Sequence, residues 1–347
     1  MPRIARPPQM TSTVEIILAV DRTGERGRIE QVSELRLGIL LWSQGTDWHS
    51  FETGARRVEE LDYEHLWTWD HLHAIFGEPQ QDIFEGWLTL AAWAKVTSSI
   101  RLGLLVGANT FRNPGLVAKS ATTLDHLSEG RAILGLGGAW FEYEHTAHGL
   151  DFGSSPGQRL TWLDEAVGAV RRMLDGESVS SEPDGRYSFQ NLRQEPLPVQ
   201  PHLPIMIGGS GERKTLRTVA RYADMWNGMG RPEVMRRTVA VLEQHCADVG
   251  RDPALIEKTI GCKPIIRDSR AEAEKVWRRL MEHNRTPMSD VQDDDTFWVG
   301  TPEDVAEELA AVRELGFNTA IAEIPAPFDD ETLVRFIGEV KPLVERG

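Results

Sequence analysis

The stretch "RAILGLGGAWFEYEH" (131–145) runs from an apolar strand into glycines, at a place where a nucleotide phosphate would sit. A dinucleotide fingerprint needs a third glycine where Trp140 stands, and the indole is too bulky for that role. Gly135-x-Gly137-Gly138 therefore reads as a strand end of low bulk, where a ligand can approach the backbone. His71 and His73 form an H-x-H pair at the end of another strand, a spacing suited to a hydrolytic metal on a barrel. The later strand ends supply glycine, tryptophan, asparagine and isoleucine, which complete no ligand set, so no metal is expected. Glu142, His145 and His148 share a helical face, but with no second cluster they read as a pocket-lining or solvated face. "GSSPG" (153–157) has the spacing of a serine nucleophile elbow, yet Pro156 follows Ser155 directly and no strand precedes it. A loop serine is expected there. In "IMIGGSGERKTLRTVA" (205–220), a strand ends in Gly208, Gly209, Ser210 and Gly211, and a helix carrying Arg213, Lys214 and Arg217 follows. Free N–H groups, a hydroxyl and nearby positive charge suit a phosphate.

These residues need elements to hold them, and the chain supplies a rhythm of short apolar runs alternating with longer segments of helical period. Strands are predicted at 35–41, 64–69, 100–108, 131–137, 204–209, 223–228 and 258–266, each followed by a helix. Asn113 and Pro114 make a helix start, with Val117, Ala121, Leu124 and Leu127 as its apolar face. In the last unit Thr301 and Asp304 form a capping box and Gly316 a stop before a final strand, and a closing helix spans 331–344. Eight such units favour an α/β fold, a (β/α)8 TIM barrel, over an open doubly wound sheet. Insertions at 71–82, 176–204 and 284–297 are expected to build a lid or substrate pocket. Residues 1–34 do not fit the repeat and read as an N-terminal extension, with a strand-like "TVEIILAV", ahead of a single barrel domain at 35–347.

The chain has 347 residues, 40% of them hydrophobic, enough for a well-filled core. No run has the roughly 18 apolar residues of a membrane span, and the opening lacks the order of a secretory signal, so a cytoplasmic protein is expected. Cys246 and Cys262 form no CxxC pair and read as small buried hydrophobes. A formal net charge of -15 repels phosphate backbones and anionic lipid, which argues against nucleic acid and membrane partners and leaves a small-molecule substrate.

The stretches "LGLLVGANTFRNPGLVAKSATTLDHLSEGRAILGLGGAWFEYEH", "IMIGGSGERKTLRTVARYADMWN" and "VGTPEDVAEELAAVRELGF" resemble the luciferase-like flavin and deazaflavin oxidoreductases in order and spacing, over roughly residues 35 to 345. "WDH" (69–71) and "ANTFRNP" (108–114) resemble the branch that uses the deazaflavin coenzyme F420. The resemblance implies a ring cofactor at the C-terminal strand ends, bordered by Asp70 and His71. It implies a bulge at Leu105 and Val106 with a non-proline cis peptide, and ring and ribityl contacts from Gly107, Ala108, Asn109 and Thr110. Gly137, Gly138 and Trp140 would flank the ring and Gly208, Gly209, Ser210 and Gly211 approach the phosphate. On this reading the opening glycines clear space for a tricyclic ring. The sequence also departs from the family: Gly138 stands where some deazaflavin dehydrogenases carry a proton-donating glutamate, and Phe141 replaces a frequent asparagine. His71 becomes the first catalytic candidate, since imidazoles titrate near neutral pH, and Glu142 the second.

The function expected is hydride transfer between F420 and a small organic substrate. The alternatives are an FMN-dependent monooxygenase of the same family, a metal hydrolase using His71 and His73, and a barrel that binds a flavin without turnover. Five tryptophans, Trp42, Trp48, Trp67, Trp69 and Trp140, are expected near strand ends, either as pocket walls or as core. The resemblance further implies oligomerisation, with a homodimer as the expectation.

Overall fold

The predicted apolar runs form parallel strands, each turning one row of side chains toward the barrel axis and the other toward the helices. The computed structural model describes residues 34–346; the strand-like segment at 13–20 lies outside the described residues. In chain order come β1 (Arg36–Leu41), α1 (Trp48–Glu60), β2 (His65–Thr68), α2 (Gly86–Val96), β3 (Arg101–Leu104), the two-residue β4 (Gly107–Ala108) and α3 (Pro114–Leu127). They are followed by β5 (Ala132–Gly137), α4 (Glu142–His148), α5 (Pro156–Leu174), β6 (Ile205–Gly208), α6 (Thr215–Tyr222), β7 (Met225–Met229) and α7 (Pro232–Val249). Then come β8 (Glu257–Ile266), α8 (Arg270–His283), β9 (Phe297–Gly300), α9 (Pro302–Arg313), β10 (Phe317–Ile324), α10 (Asp330–Arg335) and α11 (Lys341–Arg346). β1, β2, β3, β5, β6, β7, β8 and β10 pair in parallel in that order. β10 pairs with both β8 and β1, which closes an eight-stranded barrel.

Alternation along the strands separates two cores. Leu37, Ile39, Leu41 and Leu66 pack with helix residues such as Phe51, Val58, Leu90 and Trp93. Leu40, Trp42, Trp67, Trp69, Ile133, Met206, Met225, Ile265 and Ile321 form a separate cluster inside the barrel. Cys246 and Cys262 are buried and unbridged. Among the described residues no helix is long and apolar enough to cross a membrane.

Local signals place the helix ends. The Asn113 side chain accepts the Gly115 N–H at 2.8 Å ahead of Pro114, and Thr301 and Asp304 form the reciprocal capping box. Ser155, with its nucleophile-like spacing, is the N-cap of α5 and accepts the Gln158 N–H. α6 begins at Thr215, so of the three cations expected on it Arg213 and Lys214 precede it and Arg217 lies within it. The closing helix is not continuous: a π-helical turn at Phe336–Val340 separates α10 from α11. The segment at 284–297 runs into β9, an unpredicted strand that pairs with the last residues of β8 outside the barrel. The 176–204 insertion follows a helix rather than a strand, and its Val179 and Leu192 form an isolated bridge.

One buried group makes the fold acid-sensitive. His65 on β2 is 1% exposed, its Nδ1 has no partner, and burial, reinforced by Arg101 and Arg36, pushes the imidazole down to about 3. The unfolded chain takes up this proton near pH 6.5 and the folded chain does not, so stability is lost as pH falls from about 6.5 toward about 3. His65→Leu is expected to flatten this part of the acid limb by several kcal/mol, as measured by urea unfolding across that pH range.

Candidate active site

A cavity of about 390 Å³ opens at the C-terminal ends of the barrel strands, within the usual size range of small-molecule sites. Its walls come from the ends of β2 (Trp69, Asp70, His71), the β3–β4 junction (Leu105, Val106, Gly107, Ala108), β5 (Gly137, Gly138, Trp140), α4 (Glu144) and β6 (Gly208, Gly209, Ser210). Asn227, Met229, Lys263 and Glu323 close it on the side of β7, β8 and β10, and Ile75 and Phe76 reach it from the 71–82 insertion. The other two long segments do not line it.

The β3–β4 junction forms one wall, and its Leu105–Val106 peptide is cis. The glycines around it also serve a steric purpose within the wall. A Cβ on Gly135 would overlap the Leu104 carbonyl oxygen; one on Gly137 would stand 2.6 Å from Val106 Cγ2, and one on Gly208 3.0 Å from both Val106 methyls. Gly138 is crowded by Leu160, at 2.7 Å. Gly137 and Gly208 thus make room for Val106, and Gly138 for Leu160, while all three line the cavity themselves.

Asp70 ties the end of β2 to this wall. Its Oδ2 accepts the Ala108 N–H at 2.9 Å and Arg112 Nη1 at 2.6 Å, while Arg112 Nη2 donates to Glu85 at 2.6 Å. Burial pushes the Asp70 carboxyl up, and Arg112 and the Ala108 N–H oppose it. Its Oδ1 is buried without a donor among the described residues. An orphaned acceptor on a cavity-lining side chain is a place where a bound group can supply the missing donor.

His71 is held by a carboxylate that the sequence reading passed over. Its Nδ1 lies 3.0 and 3.2 Å from the two oxygens of Glu144, and Glu144 Oε2 also accepts the Leu72 N–H at 2.9 Å. With Nδ1–H donating to the carboxylate, Nε2 is left as the free ring nitrogen of a cavity-lining side chain. Glu142, the expected second candidate, is exposed on α4, whereas Glu144 two residues later is buried. A helix turns residues two apart to different faces, so the nearer carboxylate in sequence is the wrong one in space.

Other expected contacts turn away from the cavity. Asn109 donates from Nδ2 to the Tyr187 hydroxyl at 3.0 Å, fastening the 176–204 segment to the barrel rim. The Thr110 hydroxyl meets His145 Nε2 at 2.6 Å, while His145 Nδ1 lies 2.8 Å from the Phe141 carbonyl. That pairing makes Nδ1 the protonated nitrogen and Thr110 the donor to Nε2, and burial lowers the basicity of the ring. Gly211 does not line the cavity; a Cβ there would meet Thr215 Oγ1 at 2.6 Å. Of the neighbouring cations, Lys214 is committed to the Gly157 carbonyl and the Thr161 hydroxyl, at 2.7 and 2.6 Å. Arg213 and Arg217 are exposed.

Among the tryptophans, Trp69 and Trp140 line the cavity, and Trp140 is 61% exposed at its rim. Trp42 stacks on Phe76 at 4.2 Å behind the wall, Trp67 belongs to the barrel interior, and Trp48 packs on Phe51 and Phe84 outside it. His73 faces the Pro79 carbonyl, Tyr143 and His148. Among the described residues, no three His, Cys, Asp or Glu side chains are grouped to hold a metal ion.

The C-terminal end of this parallel barrel thus carries a mostly apolar cavity, with an orphaned acceptor and a carboxylate-held histidine on its walls. Residues 35–319 match the family model "Luciferase-like monooxygenase", and the chain belongs to that family. An uncharacterised protein of Mycobacterium tuberculosis is 35% identical over 186 residues, covering 52% of this chain and 62% of its own. The chain therefore spans about three fifths of the length of that relative. The F420-dependent glucose-6-phosphate dehydrogenase of Kineococcus radiotolerans is 26% identical over 317 residues, 84% of this chain and 91% of its own. The structure of an F420-dependent secondary alcohol dehydrogenase in complex with an F420-acetone adduct superposes with a TM-score of 0.76 at 19% identity. It covers 90% of this chain and 99% of that one.

The crowding at Val106 gives a direct test of how the wall is built. Gly137→Ala is expected to lower stability by about 1–3 kcal/mol through overpacking, and Val106→Ala to recover most of that loss in the double variant. Urea unfolding of the four proteins in the cycle measures the coupling; additive losses would show that Gly137 and Val106 do not compete for the same space.

Proposed function

We propose that this chain is an oxidoreductase that binds the deazaflavin coenzyme F420 and moves a hydride between it and a small organic substrate. The observation that carries the reading is the cavity-lining histidine with one nitrogen committed to Glu144 and the other free. Such a group is suited to exchanging a proton with a substrate oxygen as hydride leaves or arrives at the adjoining carbon. The relatives named for F420-dependent chemistry support the choice of cofactor.

The residues present fit such a cofactor. Leu105 and Val106 offer an apolar wall for a flat ring, Asp70 Oδ1 offers an acceptor for a ring N–H, and Ser210 beside Gly209 offers donors toward the phosphate end. When bound, the deazaflavin supplies a two-electron hydride carrier. The chain's own part is to hold the substrate carbon near the ring, exclude water and handle one proton. His71 Nε2 accepts the hydroxyl proton of an alcohol during oxidation or returns it to a carbonyl oxygen during reduction. Glu144 is a positioning residue: it fixes the tautomer and stabilises the imidazolium that forms on proton uptake. This arrangement supplies proton chemistry that Gly138 cannot. A cytoplasmic setting and a small-molecule substrate are part of the same reading.

The test is a titration of the protein with F420 and, separately, with FMN, followed by cofactor fluorescence and by the air stability of each reduced complex. F420 binding with a reduced form stable in air is expected; FMN binding with oxygen consumption would overturn the assignment in favour of a monooxygenase. In the F420-loaded protein, His71→Ala is expected to lower kcat about 10²–10⁴-fold. Glu144→Gln is expected to lower it less and to shift the pH–rate profile, which a merely structural role for Glu144 would leave in place.

A further inference from the structure

The half of the cavity not used by His71, Glu144 and the apolar wall contains two charged side chains for which the proposed chemistry has no role. Lys263 on β8 is 4% exposed and Glu323 on β10 is 6% exposed, and both line the cavity. Alternation explains why they face inward. Ile265 and Ile321, each two residues from one of them, belong to the cluster inside the barrel. Lys263 and Glu323 continue the same rows toward the mouth.

Their surroundings differ. The Lys263 ammonium is committed: it donates to the Thr296 hydroxyl at 2.6 Å, lies 3.4 Å from Asp294 Oδ2, and sits 5.2 Å from the Phe297 ring centre. Among the described residues, Glu323 has no such hydrogen-bonded shell. The donor facing it is the Trp42 indole N–H, which completes no hydrogen bond. Burial holds the Glu323 carboxyl above the usual carboxylate range, with Lys263 opposing and Asp294 adding to the effect. A buried carboxyl with open acceptor positions on a cavity calls for a donor from whatever occupies it. His71 and Glu323 line the same cavity, so both groups border the volume a single small substrate would fill.

The charge balance of the lining narrows that substrate. Asp70, Glu144 and Glu323 are acidic, and the single lysine is already paired. Arg112, behind the wall, is divided between Asp70 and Glu85. A carboxylate or phosphate on the substrate finds no uncommitted cation among these residues and meets Glu323 instead. Ile75, Phe76 and Met229 leave room for a short apolar body.

We propose that Glu323 is the specificity-determining residue of this pocket: it accepts a hydrogen bond from a second hydroxyl of a small uncharged alcohol or carbonyl compound and turns away anionic substrates. The proposal rests on the hydride-transfer reading for which substrate carbon reacts, but its test is one of binding. Three probes share a carbon skeleton: isopropanol, propylene glycol, which adds a hydroxyl, and lactate, which carries a carboxylate in its place. Their affinities are read from the ligand-dependent rise in Tm of the cofactor-loaded protein.

Propylene glycol is expected to bind about tenfold more tightly than isopropanol, and lactate more weakly than either. Glu323→Leu is expected to erase the glycol preference while cofactor fluorescence stays as in the wild type, which reports an intact fold. Glu323→Gln, which keeps an acceptor without the charge, is expected to keep the glycol preference and to relax the exclusion of lactate. Lactate binding as tightly as glycol in the wild type would overturn the proposal, as would a glycol preference that survives Glu323→Leu. A protein that binds only FMN yet shows the expected order overturns the hydride-transfer reading and leaves the role of Glu323 standing. F420 binding without that order overturns the role of Glu323 alone.

Discussion

β3 and β5 approach so closely at Leu104 that Gly135 has no space for a Cβ, and the form of the cavity wall follows from this contact. Beyond Gly103 the ladder with β5 is interrupted and resumes only where Gly107 and Ala108 pair with Leu136 and Gly137. Leu105 and Val106 occupy the interruption. Val106 projects into the gap left by Gly137 and Gly208, so the next two strands on one side of the bulge, β5 and β6, carry no side chain there. The wall is held by close packing, in which a single added methyl group meets backbone or a stiff β-branched residue.

Around this wall, charges are arranged in pairs drawn from distant parts of the chain. Asp70 at the end of β2 is joined to Arg112, which precedes α3, and through it to Glu85 at the start of α2. His71 is joined to Glu144 on α4, and Lys263 on β8 to Asp294 and Thr296 ahead of β9. Burial makes an unpaired charge expensive, and each pair also fixes a segment that no barrel ladder reaches. α4 is held through two adjacent residues, Glu144 against His71 and the Leu72 N–H and His145 against Thr110, which keeps Glu144 at the cavity. The outward extension of β8 to pair with β9 similarly sets the clamp on Lys263.

Departure from the family pattern at Gly138 is intelligible in this setting. Leu160 of α5 reaches to 2.7 Å of the place where a side chain at 138 would begin, so a glutamate there would require Leu160 to shift. On the proposed reading, the proton chemistry is relocated to the end of β2, where the α4 carboxylate orients His71.

Much of the architecture was legible in the sequence because it depends on local periodicity. Continuous apolar runs mark strands buried on both faces, and Asn113-Pro114, Thr301 with Asp304, and Gly316 mark helix ends through interactions within a few residues. Asp70, His71, Leu105 to Ala108, Gly137, Gly138, Trp140 and Gly208 to Ser210 lie around the cavity because strand ends of a closed barrel converge there. What only the tertiary structure decided was which side chains face one another. Nothing local separates Glu142 from Glu144; the docking of α4 buries one and exposes the other. Asn109 and Thr110 sit beside cavity residues in sequence, yet Tyr187 and His145 claim their side chains. Lys263 and Glu323 lie in strands that read as plain apolar runs, 60 residues apart, and only barrel closure through the β8–β10 pairing brings them to one site. The sequence determined the strands and their inward rows, since these follow from a period of two; the partners across the barrel were set by closure and packing, which no local pattern encodes.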